Sequence, residues 1–185
     1  MESDHEIPQE ILTQVSILQT EVGRQAEAIA KRLGPVLVCQ RGCHGCCEDD
    51  LTVFPVEAEI ILRHCGPLLT FDQPHPTGKC AFLDAQGGCR IYPWRPYVCR
   101  TQGLPLQWVE IDEDGSELDM RDICPLNLDE MMKQGVALED ISTEDCWALG
   151  SVESTLAGLQ VQAQGGFQEN LERVFLRDLF KSQSS

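Results

Sequence analysis

Four cysteines, Cys39, Cys43, Cys46 and Cys47, fall within nine residues of the stretch CQRGCHGCCEDD at 39–50. Thiolates gathered this closely bind soft or borderline metals, which means zinc, an iron–sulfur cluster or Cu(I). Cys43 and Cys46 form a C-x2-C pair, whose intervening turn points both sulfurs and several backbone N–H groups inward. Cys39, one helical turn earlier, joins them if the segment turns, and Gly42 and Gly45 supply backbone freedom for a close approach to metal. Cys47 is the odd member. Adjacent side chains diverge, so Cys46 and Cys47 serve two neighbouring sites, or one is a ligand and the other a spare.

Outside the predicted helices stand four more thiols, Cys80, Cys89, Cys99 and Cys124, each beside a turn-rich stretch. Four plus four is enough for two four-thiolate sites, although spacing alone does not assign sulfurs to metals. His44 could replace a thiolate, or lie just outside the ligand set. His64 and His75 lack paired spacing and read as ordinary surface or loop residues. Four thiolates on one zinc, or on an oxidised four-iron cluster, leave a charge of about −2 that calls for nearby donors or cations. Arg90, Arg95 and Arg100 flank Cys89 and Cys99 and suit that role, with surface ion pairing as the plainer alternative. Glu48, Asp49, Asp50, Tyr92 and Trp94 also border the cysteines, with bland readings as solvated acids and packing aromatics. If the chain is an enzyme, Tyr92, Arg95 and Arg100 are the first candidates to meet an anionic substrate. No catalytic residue is identifiable from sequence.

Disulfides are the competing use of ten cysteines. The N-terminal MESDHEIPQEILTQ lacks a basic n-region and an apolar h-region, and no run approaches the roughly 18 apolar residues of a membrane span. The expectation is a soluble, cytoplasmic protein, and a reducing compartment favours metal over disulfides. Fourteen basic against 30 acidic side chains give a net charge of −16, which repels nucleic-acid phosphates and anionic membranes. C-x3-C-x2-C is also the spacing of radical S-adenosylmethionine enzymes. Gly45 replaces the aromatic those enzymes carry before the third cysteine, and no alternating strand–helix series signals the barrel they need, so that reading is set aside.

The elements that must position the thiols are legible in outline. Ile7, Ile11, Val15, Leu18, Val22, Ala26, Ile29 and Leu33 recur at helical spacing and predict one long amphipathic helix over 7–33, stopped by Gly34-Pro35. A second helix is predicted from Pro55 to just before Gly66, with Val56, Ile60, Ile61 and Cys65 inward and Cys65 a core thiol. CAFLD and CRIY, separated by AQGG, predict a hairpin that brings Cys80 and Cys89 together. Asp114-Gly115 predicts a second hairpin between strands near 106–111 and 117–121. The last third reads as a short helix in LNLDEMMKQG, a long helix opened by Ser142 or Thr143 with Asp145 completing a cap, and an amphipathic helix in FQENLERVFLRDLF. Cys146 reads as a core thiol, and the tail KSQSS as disordered.

The cluster Cys39, Cys43, Cys46, Cys47, followed by GKCAFLD, GCRIYPWRPYVCR and a later isolated cysteine, resembles the YkgJ-type cysteine-cluster family, described as zinc- or iron-chelating. The resemblance spans about residues 36–126 and implicates Cys39, Cys43, Cys46, Cys47, Cys80, Cys89, Cys99 and Cys124 as metal ligands. Cys65 and Cys146 lie outside its pattern, as do both helical ends.

The expected fold is mostly α with small β-hairpins, an α+β single compact domain organised by metal: an N-terminal helix (1–35), a cysteine-cluster core (36–126) and a C-terminal helical part (127–185). The expected function is metal binding, with thiolates holding one or two iron–sulfur clusters for redox or group-transfer support. Similar clusters occur in iron–sulfur oxidoreductases and flagellin lysine methylases, which leaves an oxidoreductase or methyl-transfer activity open. The alternative is a non-enzymatic zinc-binding module, closed four-thiolate sites folding a loop-rich core, while the terminal helices contact a protein partner. Metal storage or delivery is a third class.

Overall fold

Apolar spacing of three and four makes the first element a helix, α1 (Gln9–Leu33). In the computed structural model, which describes residues 6–40, 42–166 and 171–180, Ile11, Leu12, Val15, Val22, Ala26 and Ile29 of α1 are buried. Ile7, Leu18 and Leu33 are only half-buried, and Ile17 points outward. A 3-10 turn at Gly34–Val36 ends the helix at the predicted place. Strand β1 (Thr52–Val53) precedes α2 (Pro55–Phe71), and a short α3 (Tyr97–Thr101) precedes the hairpin β2 (Leu106–Ile111) and β3 (Glu117–Asp122). There follow α4 (Pro125–Lys133), β4 (Trp147–Ala148), α5 (Ser151–Ala163) and β5 (Val174–Phe175). The chain is a mostly helical α+β arrangement with small sheets. Among the described residues, no helix is long and apolar enough to cross a membrane.

The chain divides into two compact units, each discontinuous in sequence. The first comprises 1–19, 41–96 and 154–185; the second comprises 20–40 and 97–153. In the first unit, α2 starts on Pro55, and its second residue, Val56, gives its N–H to the buried Gln160 side chain of α5 at 3.0 Å, filling one of the donors a helix start leaves open. The core of this unit joins Val53, Ala58, Ile61, Leu69, Phe82 and Ile91 to Leu176, Leu179 and Phe180.

Four expectations for local structure are corrected. Helix α2 does not stop before Gly66; it runs through Gly66-Pro67 to Phe71, with a kink at Cys65 (φ −116°, ψ 15°). The kink removes the clash that proline makes with the preceding turn, Thr70 Oγ1 donates to the Gly66 carbonyl at 2.9 Å, and Leu69 draws the second half onto the core. The hairpin expected around Cys80 and Cys89 shrinks to one bridge, Leu83 with Cys89. Asp84 takes over its tip, accepting the N–H groups of Gln86 and Gly88 on one carboxylate oxygen, at 2.9 and 2.7 Å, an Asx-type closure in place of a two-residue turn.

The long helix expected from Ser142 begins instead at Ser151. Trp147 and Leu149 give their N–H groups to the carbonyls of Pro105 and Gln107, at 2.7 and 2.9 Å, which commits this stretch to a parallel strand beside β2. Gly150, at φ 102°, then turns the chain into α5. Ser142 makes no side-chain cap, and Asp145 is ion-paired with Arg32. Finally, the helix expected at 167–180 is β5 followed by a 3-10 turn, Leu176–Phe180. Its first residues lie outside the described residues. Pairing of Val174 with Val53 and Phe175 with Thr52 wins here, because β1 offers a strand edge while Leu176, Leu179 and Phe180 still reach the core. The tail 181–185 also lies outside the described residues.

In the second unit, the hairpin expected at Asp114-Gly115 is present, with Leu106 opposite Asp122 and Ile111 opposite Glu117. The short helix expected in LNLDEMMKQG is α4, and its Met131 packs with Val36, Ile123, Ile141 and Cys146.

Candidate metal centre

Six cysteines belong to the first unit and four to the second. Of the eight predicted ligands, Cys43, Cys46, Cys47, Cys80 and Cys89 lie in the first; Cys39, Cys99 and Cys124 lie in the second. No disulfide joins any of the ten.

In the first unit the cluster loop turns tightly, with the Cys47 N–H donating to the His44 carbonyl at 3.1 Å. The Cys47 carbonyl in turn accepts the Cys80 N–H at 3.0 Å, which seats the cluster loop on the loop carrying Cys80 and Cys89. The seating is close: a Cβ on Gly87, already at φ 77°, would stand 2.4 Å from His44 Cδ2. Position 87 therefore takes glycine for both conformation and space. His44 is exposed and lies against Gly87.

The thiols of this unit fall into two electrostatic situations. A hydrogen bond from Cys47 holds the Cys46 thiol down to about 6, against the opposing effects of burial and Glu48. Adjacent side chains usually diverge, yet these two meet. Cys80 is 8% exposed, and burial pushes its thiol up; burial likewise pushes up Cys89, with the Ile91 N–H, Arg95 and Arg90 pulling the other way. Cys80 and Cys89 lie close enough that charge on Cys89 further raises Cys80. Cys65, expected as a core thiol, is 6% exposed in the same core, pushed up by burial and then by Cys89.

The arginines beside Cys89 are held firmly. Arg90 donates to the carbonyls of Ala81 (2.7 Å) and Gln73 (3.0 Å), pairs with Asp72 at 3.5 Å and lies over the Phe180 ring. Arg95 sits 3.6 Å over the Tyr92 ring and donates to the Tyr92 carbonyl at 3.1 Å. Trp94 stacks on His64 with ring centres 3.7 Å apart. Asp49 accepts the Gly78 N–H at 2.9 Å and a hydrogen bond from Arg177, which together hold its carboxyl below the usual range. Arg177 also donates to the carbonyls of His75 and Lys79, both at 2.8 Å. One guanidinium from the C-terminal segment thus ties the end of the cluster loop to the loop before Cys80. Glu48 and Asp50 are exposed, and Asp50 with Asp49, Phe175, Arg177 and Asp178 lines a shallow cleft of about 210 Å³.

In the second unit, Cys39 is exposed in the segment after α1, Cys99 lies within α3, and Cys124 immediately precedes α4. The Cys124 carbonyl accepts the N–H groups of Asn127 and Leu128, at 2.9 and 3.0 Å. Asn127 is fully buried. Its Oδ1 accepts the Val38 N–H at 2.9 Å, and its Nδ2 donates to the Gly103 carbonyl at 2.6 Å and to Cys39 Sγ at 3.8 Å. Arg100 runs beside Gly23 of α1, 3.6 Å from where a Cβ there would stand. Cys146 is buried, as expected of a core thiol, and burial pushes it up.

Sequence reasoning missed Asp84, Asn127 and Arg177. Asn127 carried a signal, a small polar residue three positions after Cys124 on the inward face of a predicted helix; Arg177 carried none, because its partners are about 100 or more residues away.

The donor chemistry fits zinc or iron: the candidate ligands are all thiols, one of them held near 6, and thiolate is the form that binds. Among the described residues, no three His, Cys, Asp or Glu side chains stand together as a ready chelate. No curated protein and no solved structure matches the chain. Residues 38–125 match the CxxCxxCC family, described as a "putative zinc- or iron-chelating domain". That span contains the cluster loop, the Cys80–Cys89 loop, Cys99 and Cys124, and it is this segment that is similar to the CxxCxxCC metal-chelating family.

Proposed function

We propose that the thiolates of Cys39, Cys43, Cys46, Cys47, Cys80, Cys89, Cys99 and Cys124 hold one or two iron–sulfur clusters, and that residues 36–126 form the metal-binding core. The observation that carries this reading is the Cys80 N–H bond to the Cys47 carbonyl, which joins two cysteine-bearing loops more than 30 residues apart in sequence. An all-thiol donor set suits iron–sulfur chemistry, and backbone N–H groups aimed at the sulfurs would tune the cluster. Arg90 and Arg95 would offset negative charge at Cys89. When bound, a cluster would supply electron transfer or support a group transfer; the chain's own residues would hold it and limit water, Cys80 being almost fully covered. Arg95, Arg100 and Tyr92 remain the groups proposed for an anionic substrate, and the terminal helices for a protein partner. A reducing, cytoplasmic setting suits the thiols.

A specific observation favours zinc as the second reading. Between α2 and α3, residues 72–96 hold only a single bridge and one 3-10 turn, a stretch that closed structural sites would organise. Anaerobic purification tests the choice. Iron and sulfide with absorbance near 400 nm support clusters, whereas a colourless protein carrying zinc alone supports the module.

A further inference from the structure

Asn127 lies two residues past the family segment, is entirely buried, and spends its whole amide on the surroundings of one sulfur. Its Oδ1 fixes Val38, the residue before Cys39; its Nδ2 fixes Gly103 and reaches Cys39 Sγ itself. Gly103 lies against the same sulfur. At φ 90°, it presents its Cα so closely that a Cβ would stand 2.7 Å from Cys39 Sγ and 3.6 Å from Asn127 Nδ2. Cys39 is exposed overall, so packing alone does not set the direction of its thiol. The Asn127 amide and Gly103 both bear on it.

We infer that Asn127 is a positioning residue for the Cys39 thiolate, its Nδ2–H donating to the sulfur and orienting it for metal. This rests on the reading of Cys39 as a ligand. An uncharged amide donor is well matched to such a position, because it stabilises negative charge on sulfur without competing as a ligand. A carboxylate at 127 would keep the acceptor for Val38 but turn an acceptor toward both the Gly103 carbonyl and the sulfur.

The test uses the full-length protein as isolated, challenged with excess EDTA, with metal loss followed by elemental analysis and folding by circular dichroism. Asn127→Asp is expected to lose metal about ten- to hundred-fold faster, and Asn127→Asp combined with Cys39→Ser to lose it no faster than Cys39→Ser alone. If Cys39→Ser speeds loss but folded Asn127→Asp matches the parent, or if the two effects add fully, the positioning role is overturned. If Cys39→Ser holds metal as the parent does, the ligand reading itself fails. Should the Asn127 variant not fold, the parent chain loaded with ¹¹³Cd decides. Coupling from ¹¹³Cd to the Asn127 Nδ2 protons is expected; coupling to the Cys39 β-protons alone contradicts the role, and coupling to neither sinks the ligand reading.

Discussion

The Cys80 N–H donates to the Cys47 carbonyl oxygen at 3.0 Å, so the cluster loop and the second cysteine loop are joined by backbone before any metal is considered. What keeps them joined is largely outside the cysteines: Asp84 closes one loop, and Arg177 ties Asp49 to the carbonyls of His75 and Lys79.

Removing that tie should loosen the first unit. Arg177→Ala leaves the Asp49 carboxylate and two carbonyls without their shared donor, and is expected to cost about 2–3 kcal/mol, the scale for losing charge-assisted hydrogen bonds. Arg177→Lys should recover less than half, because an ammonium lacks the guanidinium's fork. Urea unfolding of the metal-free chain measures both; an Arg177→Ala midpoint equal to the parent's contradicts the account.

Gly103 and Gly115 separate space from backbone strain. Both have positive φ, 90° and 82°, but a Cβ at Gly115 meets nothing within 4 Å, whereas one at Gly103 meets Cys39 Sγ. Alanine at 115 should cost about 1 kcal/mol from conformation alone and leave metal content unchanged. Alanine at 103 should cost more and lower metal content, as read by unfolding and elemental analysis of both variants. Equal effects of the two substitutions would contradict the packing described around Cys39.

Cys65 and Cys80 are both buried in one core, yet only Cys80 is a proposed ligand. Cys65→Ala should lose about 1 kcal/mol, from a small cavity, with metal stoichiometry intact. Cys80→Ala should lose metal as well. Metal-to-protein ratios of the two purified variants distinguish the roles, and loss of metal from Cys65→Ala would count against them.

Burial raises the Cys146 thiol above its unfolded value of about 8.5. The folded state then binds that proton more tightly than the unfolded chain, so the contribution is whole below about pH 8.5 and is lost as pH climbs through the raised folded value. Urea midpoints of the parent should therefore fall more between pH 7.5 and 9.5 than those of Cys146→Ala. An identical fall in both would mean that the thiol ionises as freely folded as unfolded.

Much of this scaffold was legible because local chemistry decided it. The α1 stripe and the Asp114-Gly115 turn each follow from neighbours in sequence. Where distant partners outbid local preference, the reading went astray. Trp147 left a helical pattern to pair beside β2, Val174 left another to pair with Val53, and Gly66-Pro67 was carried inside α2 because Leu69 had a core to reach. The cysteines announced themselves by type and spacing. Asn127 and Arg177, which hold their loops, are ordinary residues made particular by partners 24 to 128 residues away.

The central claim is that these thiols hold iron–sulfur clusters, and the most direct measurement is iron, zinc, copper and acid-labile sulfide on full-length protein prepared without oxygen. The account predicts iron and sulfide in near-equal amounts, with both lost when Cys46 and Cys47 are changed to serine. Zinc alone, with no sulfide in protein never exposed to oxygen, would contradict it.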